Sequence, residues 1–208
     1  KIIVEDEFRR GDLRRPSGVA VAGDNRVFVT DRSNGVIQVF DRELNFLFIL
    51  HTADVKLNRP SSILILERDN KKYVAIIERR SGEDASLNIY SLSSDEKSLC
   101  FYSKIDDYFL NDPQDMDVGN LSELYIADTL NRRIVHTDLD GLLINQVDMA
   151  KISGNKKILV KTISIREDGD VFTSDFDNCI VYHLDSNLNF KNSIDFSYLK
   201  KEMLCLRA

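Results

Sequence analysis

One phrase recurs three times along the chain. Residues 27–41 read VFVTDRSNGVIQVFD, residues 124–138 read LYIADTLNRRIVHTD, and residues 171–185 read VFTSDFDNCIVYHLD. In each copy an Asp closes a short apolar run (Asp31, Asp128, Asp175), and an Asn follows three positions later (Asn34, Asn131, Asn178). A branched aliphatic stands six after the Asp (Ile37, Ile134, Val181), and a second Asp stands ten after it (Asp41, Asp138, Asp185). Matched offsets in three places define an internal repeat. A repeat constrains the fold more than any local propensity, because each unit has to bury its apolar face against a copy of itself.

The unit extends in both directions. Ahead of the phrase lie PSGVAV from Pro16, PQDMDV from Pro113 and, without the proline, VKTISI from Val160; behind it lie FLFIL, LLINQV and FKNSI. A fourth, degenerate copy begins with PSSILIL at Pro60, where Glu78 replaces the Asp and LNIYS (87–91) replaces IQVFD. Every unit thus holds four short runs rich in Val, Ile, Phe and Tyr, split by Asp, Asn, Gly and Ser. That is the pattern of four antiparallel strands with tight turns. GDN at 23–25, LDG at 139–141 and EDG at 167–169 supply residues that tolerate positive φ. Four-stranded units recurring every 40–50 residues predict an all-β chain, a β-propeller of four-stranded antiparallel blades. The blades are expected at about 13–50, 57–103, 110–147 and 159–194 of a single domain spanning 1–208, with partial strands at 1–8 and 202–208. Those partial strands suggest a larger propeller of which this chain is a piece.

PSGVAVAGDNRVFVTDRSNGVIQVFD and PQDMDVGNLSELYIADTLNRRIVHTD resemble NHL repeats. The resemblance covers about residues 13–194, is closest in the copies that begin at Pro16 and Pro113, and is weakest in the degenerate copy that begins at Pro60. It implies the six-bladed NHL domain of the tripartite-motif (TRIM-NHL) and Brat-like proteins, which binds RNA or protein partners. An RNA-binding post-transcriptional regulator is one expectation. A protein-docking scaffold, including the substrate-recruiting domain of a ubiquitin ligase, is the alternative. A calcium-dependent hydrolase or lyase of propeller architecture is a third. No GxSxG elbow, phosphate loop, HExxH or CxxC is present, so catalysis and cofactors are not expected within the chain.

Composition narrows the partners. At 208 residues, 43% hydrophobic and 30% charged, the chain can bury a sizeable core, and no apolar run approaches the length of a membrane span. Its three cysteines (Cys100, Cys179, Cys205) have no metal-ligand or disulfide spacing, which points to a reducing, cytoplasmic setting. A net charge of −6 argues against wholesale nucleic-acid binding, and no DNA partner is expected, although the distribution of charge matters more than its sum.

In an up-and-down blade with strands a to d, the d–a and b–c loops emerge at one end and the a–b and c–d turns at the other. Sorting the sequence this way makes the first end net positive and the second net negative. The positive end gathers Arg9, Arg10, Arg14 and Arg15 before the first blade, Lys56 and Arg59 before the second, and Arg32, Arg79 and Arg80 on their b–c loops. Arg132 and Arg133 form a pair on the third blade, and Tyr108, Phe109, Phe176 and Tyr198 are aromatics of the same loops. Guanidinium groups for phosphates and rings for bases are what single-stranded RNA requires. Asp31, Glu78, Asp128 and Asp175 are read as structural turn carboxylates that accept turn N–H groups, with no metal expected. His136 and His183, both eight after the Asp, are read as packed, hydrogen-bonded residues, and His51 as a loop residue without a partner.

Overall fold

The computed structural model describes residues 11–52, 56–79, 85–105 and 110–198. Within them lie sixteen strands in four antiparallel groups of four. The first group is β1 (Pro16–Val21), β2 (Val27–Asp31), β3 (Val36–Phe40) and β4 (Phe46–Thr52). The second is β5 (Pro60–Arg68), β6 (Lys71–Arg79), β7 (Ala85–Leu92) and β8 (Ser98–Ile105). The third is β9 (Pro113–Val118), β10 (Leu124–Asp128), β11 (Arg133–Thr137) and β12 (Leu143–Asp148), and the fourth is β13 (Val160–Ile165), β14 (Val171–Asp175), β15 (Ile180–Leu184) and β16 (Phe190–Asp195). The all-β expectation holds. The expected partial strands at 1–8 and 202–208 lie outside the described residues.

Strands β6 and β10 are buried on both faces because the second and third blades are each sandwiched between two neighbours. All of β10 is buried, as is β6 from Tyr73 to Glu78. Three clusters fill the interblade spaces: Phe28, Ile37 and Leu50 against Val74 and Ile76; Ala75, Ile77 and Leu87 against Met116 and Ile126; and Tyr125, Ala127 and Ile134 against Ile163 and Tyr182. Burying aliphatics of this size contributes roughly 1.5–3 kcal/mol each before entropy is counted. The innermost strands approach still more closely. A Cβ on Gly18 of β1 would lie 2.1 Å from the Ser61 carbonyl oxygen of β5, so only glycine fits there. Thr30 Oγ1 donates to that same carbonyl at 2.7 Å, and Thr129 Oγ1 donates to Val160 O at 2.6 Å where the third and fourth blades meet.

The recurring Asp and the recurring Pro occupy one register. Pro16 pairs with Asp31, Pro60 with Glu78, Pro113 with Asp128 and Val160 with Asp175, each beside a bulge. Proline lacks the N–H that a regular ladder would use, so it sits where the ladder is already broken. Blades one and two are also joined at their rims, where β4 runs parallel to β8 through His51↔Ser98 and Thr52↔Leu99. His51 is therefore a strand residue, contrary to expectation. The β4 edge continues onto a neighbouring blade, a pairing that no pattern within either strand encodes.

One short helix was not anticipated: α1 (Met149–Ser153), in the connection from the third blade to the fourth. Asp148 caps it by accepting from Ala150 N at 2.9 Å, and Gly154 ends it in the left-handed region at φ 67°. The Asp and Gly spacing is a cap pair, but one and a half turns carry too little periodicity to announce a helix.

Candidate nucleic-acid interface

The two ends predicted from loop order are distinct. At one end, Lys72 Nζ reaches Asp24 Oδ2 and Glu96 Oε1, both at 2.9 Å, while Arg26 also contacts Asp24 and Glu96. This network ties turns of the first two blades, and Arg68 with Tyr102 meets Asp140 to tie the second to the third. Cations at this end are thus largely neutralised by its more numerous carboxylates.

The opposite end is organised by the turn carboxylates. Buried Asp31 accepts from Arg14 N at 2.9 Å and Arg15 N at 3.3 Å in the incoming loop. It also accepts from Asn34 N at 3.2 Å and Asn34 Nδ2 at 2.7 Å in its own b–c turn. Burial pushes its carboxyl up, and these donors more than offset that, holding it below the usual carboxylate range. Asp128 likewise accepts from Asn111 N at 2.7 Å, Asn131 Nδ2 at 2.9 Å and Arg133 Nε at 2.7 Å. Asp175 accepts from Asn178 N at 3.3 Å and from its Nδ2 at 2.6 Å. In the degenerate blade Glu78 receives Asn58 N at 2.6 Å, and Asn88 Nδ2 and the Tyr90 hydroxyl at 2.7 Å each. Asn88 thus does from β7 what Asn34 does from a turn; the longer Glu side chain reaches a partner that sequence alignment does not mark. Asp31 and Asp128 thus bind incoming loop to turn, Asp175 holds its own turn, and Glu78 ties the loop to β7. The turn then forces the fourth residue after the Asp into the left-handed region: Gly35, Arg132 and Cys179, at φ 65°, 56° and 57°.

These clamps set the arginines. Arg59 is itself left-handed (φ 46°) directly before Pro60, which fixes its departure from the chain. Arg14, Arg15, Lys56 and Arg59 are exposed, and Arg32 and Arg79 half-buried. Burial first, then the charges of Arg59, Arg79 and Arg15, lower the pKa of the Arg32 guanidinium, with Asp112 opposing them. Its buried Nε has no hydrogen-bond partner among the described residues. Arg79 is better satisfied: it pairs with Asp112 and donates to Pro113 O at 3.2 Å, leaving only its Nε unmatched. Four guanidiniums therefore converge where the first two blades meet, with Asp112 beside them.

The third-blade pair stands differently. Arg133 is engaged with Asp128 and with Gln146 Oε1 at 2.8 Å, a bond within its own blade. Arg132 is exposed and donates to Lys156 O at 3.2 Å. Phe176 and Tyr198 are exposed, at 65% and 67%, and Lys161 Nζ lies 4.4 Å from the Phe176 centroid. Arg9, Arg10, Arg80, Tyr108 and Phe109 lie outside the described residues.

Of the histidines, His183 is hydrogen-bonded as expected, to Asp170 at 2.6 Å, and stacks on Phe172. His136 is not: it stacks on Tyr125 at 3.9 Å, and neither ring nitrogen has a hydrogen-bond partner among the described residues. The stack on Tyr125 holds the ring, Glu123 Oε2 lies 4.0 Å from Nε2, and burial, partly opposed by Glu123, lowers the pKa. A histidine held neutral by folding loses stability as pH falls through the unfolded value near 6.5, because the unfolded chain takes the proton first. His136→Val, the residue type of the first blade's Val39, is expected to flatten the decline in urea midpoint between pH 7.5 and 5.5. An unchanged decline contradicts this assignment.

Comparison with known proteins agrees with this architecture. Residues 13–40 match the NHL repeat family. Protein brain tumor of Drosophila melanogaster is 25% identical over 144 residues, covering 68% of this chain and 13% of the relative. The chain thus spans about an eighth of the length of that curated relative. Among solved structures, a gluconolactonase from Xanthomonas campestris superposes with a TM-score of 0.61 at 18% identity, over 86% of this chain and 62% of the other. Virginiamycin B lyase from Staphylococcus aureus gives 0.57 at 14% identity, over 88% and 55%. At these identities the likeness to the two enzymes is one of fold alone. The chain carries an NHL repeat in its first blade and is built as β-propeller blades.

Proposed function

We propose that this chain is a non-enzymatic binding propeller that recognises single-stranded or structured RNA through its d–a and b–c loop face, in a cytoplasmic post-transcriptional regulator. The observation that carries the reading is the convergence of Arg15, Arg32, Arg59 and Arg79, with a buried Arg32 Nε lacking a hydrogen-bond partner among the described residues. Gathering like charges costs free energy that a polyanion offsets, and planar guanidiniums match phosphate oxygens in pairs. The NHL resemblance supports the same face. Against catalysis, the recurring carboxylates that might have formed a metal set are each occupied by donors of their own blade.

A protein-docking role is the second reading, favoured by the net charge of −6 and by exposed Leu130, Phe176 and Tyr198. Titration of the chain with short single-stranded RNA of mixed sequence at two salt concentrations separates them. RNA recognition requires affinity that falls as salt rises, by about 0.7 log units per log unit of salt for each phosphate held. Absence of binding leaves the docking role.

A further inference from the structure

Between the first and second blades lies a cleft of about 570 Å³, within the usual range of roughly 300–1,000 Å³ for small-molecule sites. Its chemistry is divided. Arg32, Lys56, Arg59 and Lys104 line it with positive charge, whereas Tyr90 and Phe101 line it with rings. Glu78 is the one carboxylate among the described lining residues, and it already accepts from Asn58, Asn88 and Tyr90.

Phe101 is the unexplained member. It sits on the outer strand β8 at 63% exposure, directly opposite Tyr90 in the ladder. The two rings meet edge to face, with centroids 6.0 Å apart and planes at 84°. Tyr90 is anchored through its hydroxyl to Glu78, so it supports Phe101 from one side. An edge-to-face contact covers at most one broad face of Phe101, so at least one face remains uncommitted to Tyr90. Asn88 is fixed too: its amide nitrogen donates to Glu78 and Ser86, so its oxygen remains an acceptor.

An acidic peptide would use the cations and not the ring; an apolar peptide would use the ring and not the cations. A nucleotide uses both, since its phosphate seeks guanidiniums while its base stacks on an aromatic face. We infer that this cleft receives one splayed-out nucleotide of a bound single-stranded RNA, its base stacked on Phe101 and its phosphate held by Arg32 and Arg59. This rests on the RNA reading above and adds a specific base-reading position to it. The Asn88 oxygen favours a base edge that presents an amino or imino hydrogen.

The test uses a short mixed-sequence single-stranded RNA and a series in which each base in turn is replaced by an abasic sugar. Phe101→Ala is expected to weaken binding of the intact RNA about 5- to 150-fold, the usual range for one base stack, and Phe101→Tyr to restore it. The log–log salt slope stays that of the wild type, because no phosphate contact is lost. One abasic position should weaken wild-type binding and have no further effect in Phe101→Ala. Phe101→Leu, which keeps apolar bulk without a π face, should also bind weakly, so the result does not depend on the folding of one variant. Unchanged affinity in Phe101→Ala and Phe101→Leu would overturn the nucleotide site while leaving the RNA reading intact. RNA that does not bind the wild type at all would remove both.

Discussion

Reversing Arg14, Arg15 and Arg59 to Glu together is expected to lower affinity for short single-stranded RNA about 100-fold at 0.1 M salt. The side chains are exposed, and their backbones are fixed by Asp31 and by the Pro60 turn, so the loss is one of charge rather than of fold. Each phosphate contact contributes about 0.7 to the log–log salt slope of a single strand, so three lost contacts flatten it by about two units. That flattening equals about two orders of magnitude when extrapolated from 1 M to 0.1 M. The loss should be similar for every RNA sequence, because phosphate contacts carry no base information. Titrations at several salt concentrations measure both quantities.

Asp128→Ala carries the largest expected effect on stability, about 1–3 kcal/mol in urea unfolding. The carboxylate is fully buried and accepts from Asn111 N, Asn131 Nδ2 and Arg133 Nε, so its removal strands three donors. Arg133 is partly exposed and can turn towards water, which keeps the cost below that of an orphaned, fully buried charge. Added calcium should leave the melting temperature of the wild type and of the variant unchanged. A calcium-dependent rise in the wild type that disappears in Asp128→Ala contradicts the structural reading of this residue.

Why the sequence reveals the blades so readily follows from one register. Asp31, Asp128 and Asp175 each pair opposite the first residue of the innermost strand, so the Pro and Asp signals mark one structural point seen from two strands. The alternation of short apolar runs and turn residues then places the strands, and loop order alone sorts the two ends. Other features leave no mark in the local pattern. Leu44, Ser122 and Leu188 take up left-handed turn positions that composition would assign to Gly or Asn. Glu78 finds Asn88 across a strand instead of within a turn, which hides the kinship of the second blade. Phe101 reads as an ordinary strand aromatic, and only the cleft beside it gives it another meaning. Arg133 shows the reverse: its sequence position suggests a surface cation, while the fold commits it to Asp128.

The most direct measurement compares the two ends of the propeller. Lys72 is locked between Asp24 and Glu96, so its reversal would disturb packing as well as charge. Arg42, Lys71 and Lys97 are exposed on the opposite end and make a cleaner control. Strands of five residues or more hold the ends at least about 15 Å apart, beyond a Debye length of about 8 Å at physiological salt. The affinity of the Arg42, Lys71 and Lys97 triple reversal should therefore remain within a few-fold of the wild type, while that of the Arg14, Arg15 and Arg59 variant falls about 100-fold. Equal losses from the two triples would contradict a binding face at this end of the blades.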